Sequence, residues 1–206
     1  RDHKVRLIAD YFRTTPDPDR GWALAALAGT LSISTVKAAA IRAMAEERFD
    51  PMLFRMSRDY VGDTAETVAL MWPDVSQDVV APTVSEVIDV LSGTSRARAP
   101  AVLAELMDRL DANGRYALLK LATGGMRVGI SARLAKTAFG QAFGVSVDDV
   151  EEVWHALAPP YASLFAWGEG GPRPDPEGTP YFRPFMLAHP LEDGTVIRDE
   201  RRGSYT

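Results

Sequence analysis

Cysteine is absent from this sequence of 206 residues, which excludes disulfides and thiolate metal sites outright. Histidine is scarce: His3, His155 and His189 stand far apart and share no metal-ligand spacing. No stretch approaches the ~20 continuous apolar residues of a membrane span, and no signal-peptide pattern opens the sequence, so a cytoplasmic protein with no membrane partner is expected. Period-two alternation, the mark of a half-buried strand, is missing from residues 1 to about 168. No repeat at a fixed period is present either, which argues against a regular solenoid. Lysine occurs at only four positions, Lys4, Lys37, Lys120 and Lys136.

What is present is ordinary globular composition, 46% hydrophobic and 25% charged, at a length that suits one large domain or a domain plus a tail. Helix signals dominate it. Val5, Leu7, Ile8, Tyr11 and Phe12 lie at helical spacing, and Trp22, Leu24 and Leu27 make a short apolar helix ending at Gly29. Ser34 is expected to cap a helix running to Arg48, and Asp50-Pro51 reads as an N-cap followed by proline at the first helical position. Asp63-x-x-Glu66, Thr83-x-x-Glu86 and Ser146-x-x-Asp149 have the pattern of capping boxes. Helices are also expected over 101–111, 116–121, 131–143 and 147–157. The fold class is therefore all-α: about ten short helices over residues 1–168. Between Gly168 and Pro184 lie five prolines and four glycines, so 169–184 reads as an extended linker. Phe185-Met186-Leu187-Ala188 has the composition of a strand start, which makes 185–206 a third segment. The abrupt opening Arg1-Asp2-His3-Lys4 at the head of a helical pattern leads us to expect residues in front of it.

Net charge is −5, but its distribution is uneven. Residues 61–114 carry three Lys/Arg against nine Asp/Glu, and 141–193 carry two against nine. Between them, 115–140 holds Arg115, Lys120, Arg127, Arg133 and Lys136 with no acid. Such a window is either a polyanion-binding surface or a chance cluster on a solvated helix face. Inside it runs Thr123-Gly-Gly-Met-Arg-Val-Gly-Ile-Ser131. Gly124, Gly125 and Gly129 permit positive φ and close approach of another backbone. Ser131 opens a helix whose first-turn amides and dipole suit an anion. Arg127 sits on the loop, while Arg133 and Lys136 are expected on one face of the helix with Thr137 beside Arg133. This arrangement suits phosphates and sugars, without a long helix to read bases; an ordinary glycine-capped turn between two helices is the alternative.

These residues resemble a known family. Gly124-Gly-Met-Arg-Val-Gly-Ile130 is similar to the glycine–arginine–glycine signature in the N-terminal DNA-binding domain of ATP-dependent DNA ligases, of the bacterial type that shares this domain with archaeal and eukaryotic replicative ligases. Four further segments resemble the same group in the same order: Asp10–Trp22, Gly62–Pro73, Val153–Tyr161 and Phe165–Trp167. The resemblance covers residues 6–190. It implies a helical domain that grips nicked double-stranded DNA, largely across the minor groove and without strong sequence preference. By the same likeness the chain is a monomer, and Gly124, Gly125, Arg127, Gly129, Ser131, Arg133, Lys136 and Thr137 belong to the DNA-binding surface. It implies ATP and Mg2+ as cofactors of the complete ligase, none of them bound by this chain, and 185–206 as the entry into a mixed α/β nucleotidyltransferase domain.

One departure is sharp. The family's nucleophile is the lysine of a Lys-x-Asp-Gly motif, and none of the four lysines begins one. At the single Asp-Gly, Asp193-Gly194, Leu191 stands in the lysine's place. Without that amine the covalent step has no nucleophile, so this chain is expected to bind nicked duplex and to seal nothing. Residues 194–206 do not continue as the family would. The alternatives are a non-enzymatic helical module that binds DNA or protein, and a sequence-specific helix-turn-helix regulator. Trp154, Tyr161, Phe165 and Trp167 are expected to pack in the core rather than stack on bases. Asp148, Asp149, Glu151 and Glu152 are expected to complement a helix dipole rather than hold a metal. Asp17 and Asp19 read as turn formers, and Lys37 and Arg42 as a solvated face.

Overall fold

A computed structural model describes residues 2–33, 36–73, 79–126 and 129–175. Among these residues there are eleven helices and no strand. They are α1 (Asp2–Thr14), α2 (Asp19–Ala28), α3 (Ala38–Arg48), α4 (Pro51–Val61), α5 (Thr64–Met71) and α6 (Val84–Ser92), then α7 (Ala99–Met107), α8 (Ala112–Ala122), α9 (Ala132–Phe143), α10 (Val147–Trp154) and α11 (Ala162–Gly168). None of them is long and apolar enough to cross a membrane. The segment from residue 176 onward, with the expected strand start at Phe185, lies outside the described residues.

Local chemistry explains most of the helix starts. Asp50 accepts from the amides of Met52 and Leu53 with Pro51 just behind it, and Asp63 accepts from Ala65 and Glu66. Thr83 accepts from Glu86, Asp111 from Gly114, Ser131 from Leu134 and Ser146 from Asp148. Each such cap contributes about 1 kcal/mol. The Thr83–Glu86 pair is reciprocal, since the Glu86 carboxylate takes the Thr83 amide in return, and it also engages the Arg109 guanidinium at 2.5 Å. The expected cap at Ser34 is corrected. Ser34 lies outside the described residues, and α3 begins only after Lys37, which makes no side-chain cap bond. Helix α11 was not expected as a separate element, because Tyr161 precedes it with φ +58° and without a side-chain cap. Tertiary contacts hold that turn: the Tyr161 hydroxyl lies 2.7 Å from that of Thr30, and its ring stacks on Trp154 at 4.6 Å.

The core divides into two apolar clusters. The first gathers Ile41, Phe54, Val68, Trp72, Leu91, Leu103, Met107 and Leu119 from α3 to α8. The second gathers Val5, Phe12, Leu24, Phe139, Val153, Trp154, Leu164 and Phe165 from α1, α2, α9, α10 and α11. Trp22 and Leu31 pack against both. Helix α1 lies along α9 and buries Val5, Ala9 and Phe12, one turn apart each time. Phe12, Phe139 and Phe165 meet edge to face at 5.3–5.5 Å, contacts worth about 1 kcal/mol each beyond their buried area. Trp154, Tyr161 and Phe165 are buried, in line with the core-packing expectation.

Each cluster also encloses one guanidinium. Arg115, 2% exposed, donates to the carbonyls of Met107, Trp72 and Pro73 at 3.1, 3.0 and 2.6 Å. Arg20, 5% exposed, donates to Asp17 and Glu169 and lies 4.6 Å over the Phe165 ring. Asp19, expected as a turn former, accepts from the Ser85 amide and so ties the start of α2 to α6.

Candidate nucleic-acid interface

Helix α8 ends in a glycine-dependent stop. The Gly124 amide donates to Leu121 O at 3.2 Å and the Gly125 amide to Lys120 O at 2.8 Å, the paired bonds of a Schellman turn. Gly124 takes the left-handed position at φ +69°. The chain re-enters a helix through Gly129, at φ +68°, and Ser131, whose hydroxyl accepts from the Leu134 amide at 3.2 Å. Gly125 does not use the positive φ open to it: it is absent from the left-handed residues, and a Cβ there would meet its nearest neighbour at 3.4 Å, ordinary contact.

Gly124, Met126, Gly129, Ile130 and Ser131, with Gly29 at the end of α2, line an open recess of about 550 Å³ at the start of α9. A Cβ at Gly129 would lie 3.1 Å from the Lys4 ammonium. A lysine of α1 is therefore seated against the glycine that leads into α9, where the helix start presents amides and the positive end of its dipole. Lys4 stands at the far end of the chain from this loop, so no spacing in the sequence marks it. Arg133 is exposed in the first turn of α9. The Thr137 hydroxyl turns back to the Arg133 carbonyl at 2.8 Å. Arg127 lies outside the described residues.

The expected cationic surface is otherwise corrected. Lys136 does not share the exposed face with Arg133. Three residues along a helix is about 60° around its axis, and that rotation carries Lys136 across the boundary of a helix otherwise buried through Leu134, Ala135, Ala138 and Phe139. It is 6% exposed, 2.5 Å from the Glu151 carboxylate and 4.5 Å over the Trp154 ring. Arg115 is the enclosed guanidinium described above. Lys120 is paired with Asp63 at the start of α5. Its hydrogen bond to Asp63 raises the ammonium pKa above the ordinary lysine value. Burial pushes the Asp63 carboxyl upward, but the bonds from Lys120 and the α5 amides outweigh it, and the net shift is downward. Of the acid-free window 115–140, Arg133 is the one cation exposed among the described residues.

The carboxylates near α10 have partners of their own: Glu151 takes Lys136, while Asp149 and Glu152 take Arg173. Lys37 and Arg42 are exposed, as expected of a solvated face. Among the described residues no group of three histidines or carboxylates is placed to hold a metal ion.

Among the described residues the fold is all-helical, with a glycine-lined recess at the start of α9, the Lys4 ammonium against its Gly129 and Arg133 exposed in the helix's first turn. No family model matches the chain, and no curated protein matches it.

Proposed function

We propose that this chain is the DNA-binding region of an ATP-dependent DNA ligase, which grips nicked duplex so that a catalytic domain can join a 3′-hydroxyl to a 5′-phosphate. The observation that carries the reading is the seat of the Lys4 ammonium against Gly129, beside the Ser131-capped start of α9 and the exposed Arg133. The Lys4 ammonium and the positive end of the α9 dipole meet at an open recess lined by three glycines and Ser131 together with Leu27, Met126 and Ile130. Arg133 is exposed one residue beyond it, a setting that suits a sugar-phosphate chain. The ordered segments that resemble the ligase family supply the reaction; the recess supplies a place for its substrate. ATP and Mg2+ belong to the complete enzyme under this reading, and the chain works as a cytoplasmic monomer that seals no nick alone.

With Arg115, Lys120 and Lys136 engaged inside the protein, the number of phosphate contacts falls from five to about three: Lys4, Arg133 and the loop's Arg127. Anisotropy titrations of nicked and intact duplexes against salt test this directly. The expected log–log slope is about −3, rather than the −4 to −5 of five contacts, and affinity is the same for unrelated sequences. A strong preference among sequences would support a helix-turn-helix regulator, and no duplex binding would remove the reading.

A protein-binding module is favoured by one observation. Met52, Leu53, Met56 and Tyr60 of α4 and Leu70 of α5 are 57–92% exposed, the kind of apolar patch that marks a contact surface. In the ligase reading this patch is available to another domain. Binding of a protein partner without any duplex affinity would favour the module instead.

A further inference from the structure

The glycine loop is pinned at two points, one in each cluster. Met126 is half-buried and packs against the first cluster, while Ile130 is half-buried and packs against the second. Both line the recess beside Gly29 and Gly129. Met126 also lines an apolar groove of about 460 Å³ that it shares with Leu7, Ile8, Tyr11, Val87 and Leu118. Side chains in a surface connection are ordinarily polar, and here Met126 follows Gly125 and Ile130 follows Gly129, so each apolar anchor adjoins a glycine. Glycine leaves the unrestrained backbone with more conformations than any other residue, so a loop holding three of them is costly to order on a ligand unless something fixes it beforehand. An unbranched thioether side chain fits an irregular seat of this kind.

We infer that Met126 is a positioning residue: its side chain in the first cluster, with Ile130 as the second pin, fixes the recess before DNA arrives. The inference rests on the ligase reading above. It concerns pre-ordering rather than contact, which separates the two experimentally. Removing a phosphate contact lowers both affinity and salt slope, whereas loosening a pin lowers affinity at constant slope.

The test uses the whole chain with nicked duplex as probe, comparing wild type with Met126→Ser, Met126→Leu and Ile130→Ala across a salt series, and with thermal melts alongside. Met126→Ser is expected to weaken binding about tenfold with an unchanged slope, and Met126→Leu to restore it. Ile130→Ala, acting from the other cluster, reproduces the loss should Met126→Ser fail to fold. Unchanged affinity in Met126→Ser, with wild type binding normally, overturns the inference and leaves the ligase reading standing. A slope reduced by about one unit makes Met126's neighbourhood a contact and overturns it likewise. Wild type that binds no duplex overturns both.

Discussion

The two apolar clusters solve one problem, an enclosed guanidinium, in opposite ways. In the first, Arg115 meets three backbone carbonyls and no carboxylate among its hydrogen-bond partners. In the second, Arg20 reaches one backbone carbonyl, that of Phe12 at 3.4 Å, but chiefly meets Asp17 and Glu169, whose side chains are 42% and 52% exposed, and covers an aromatic face. Arg115 thus serves as a staple for the chain ends at α5 and α7, with the Trp72 and Met107 carbonyls buried and Pro73 at the surface, and Arg20 as a clasp whose acidic half remains wet. A cationic residue in a sequence window accordingly says little about surface potential until its partners are known.

The largest expected effect tests the staple. Arg115→Met removes the donor from the carbonyls of Met107, Trp72 and Pro73 at once. Urea denaturation should show a loss of about 3 kcal/mol, since the two buried acceptors left unpaired, Met107 and Trp72, cost about 1 kcal/mol or more each. A loss below about 1 kcal/mol would mean that water reaches those carbonyls. Arg20→Met should cost less, about 2 kcal/mol, because Asp17 and Glu169 can hydrate once released and methionine retains contact with Phe165.

Acidity separates the two further. The hydrogen bond from Arg20 holds the Glu169 carboxyl below the ordinary glutamate range. A depressed carboxylate stabilises the fold above its unfolded pKa, near 4.3, and that stabilisation is lost as pH falls through the folded value. The stability gap between wild type and Arg20→Met should therefore narrow below about pH 4, whereas the gap for Arg115→Met should stay level. Denaturation midpoints at a series of pH values check this, and parallel behaviour of the two gaps would erase the distinction.

A smaller effect divides the loop glycines. Gly124→Ala forces a side chain into the left-handed region and should cost about 1 kcal/mol. Gly125→Ala, with negative or extended backbone and ordinary contact distances, should change stability by less than about 0.5 kcal/mol. Thermal melts of the two variants decide it.

Much of the helical framework was legible because its signals are local. Asp50-Pro51, Asp63, Thr83 and Ser131 each act within one turn of the helix they start, and the structure places a cap at all four. Glu86 shows the limit of that logic, since beside the local Thr83 amide it also holds a distant guanidinium that no nearby residue announces. Helix α11 escaped notice because Tyr161 is held by Thr30 and Trp154, not by a neighbour in sequence. The glycines and the cap of the candidate site were legible for the same local reason. Its charges were not: Lys136, Lys120 and Arg115 find partners on α10, at the start of α5 and after the end of α5, and Lys4 arrives from α1. Helical periodicity places a residue within a helix but does not say which neighbour covers it.

The most direct test of the account is the salt dependence of nicked-duplex binding in three variants measured side by side. Lys4→Ala and Arg133→Ala should each lower the log–log slope by about one unit, while Lys136→Met leaves slope and affinity at the wild-type values. A slope that falls for Lys136→Met and holds for Lys4→Ala and Arg133→Ala would contradict it.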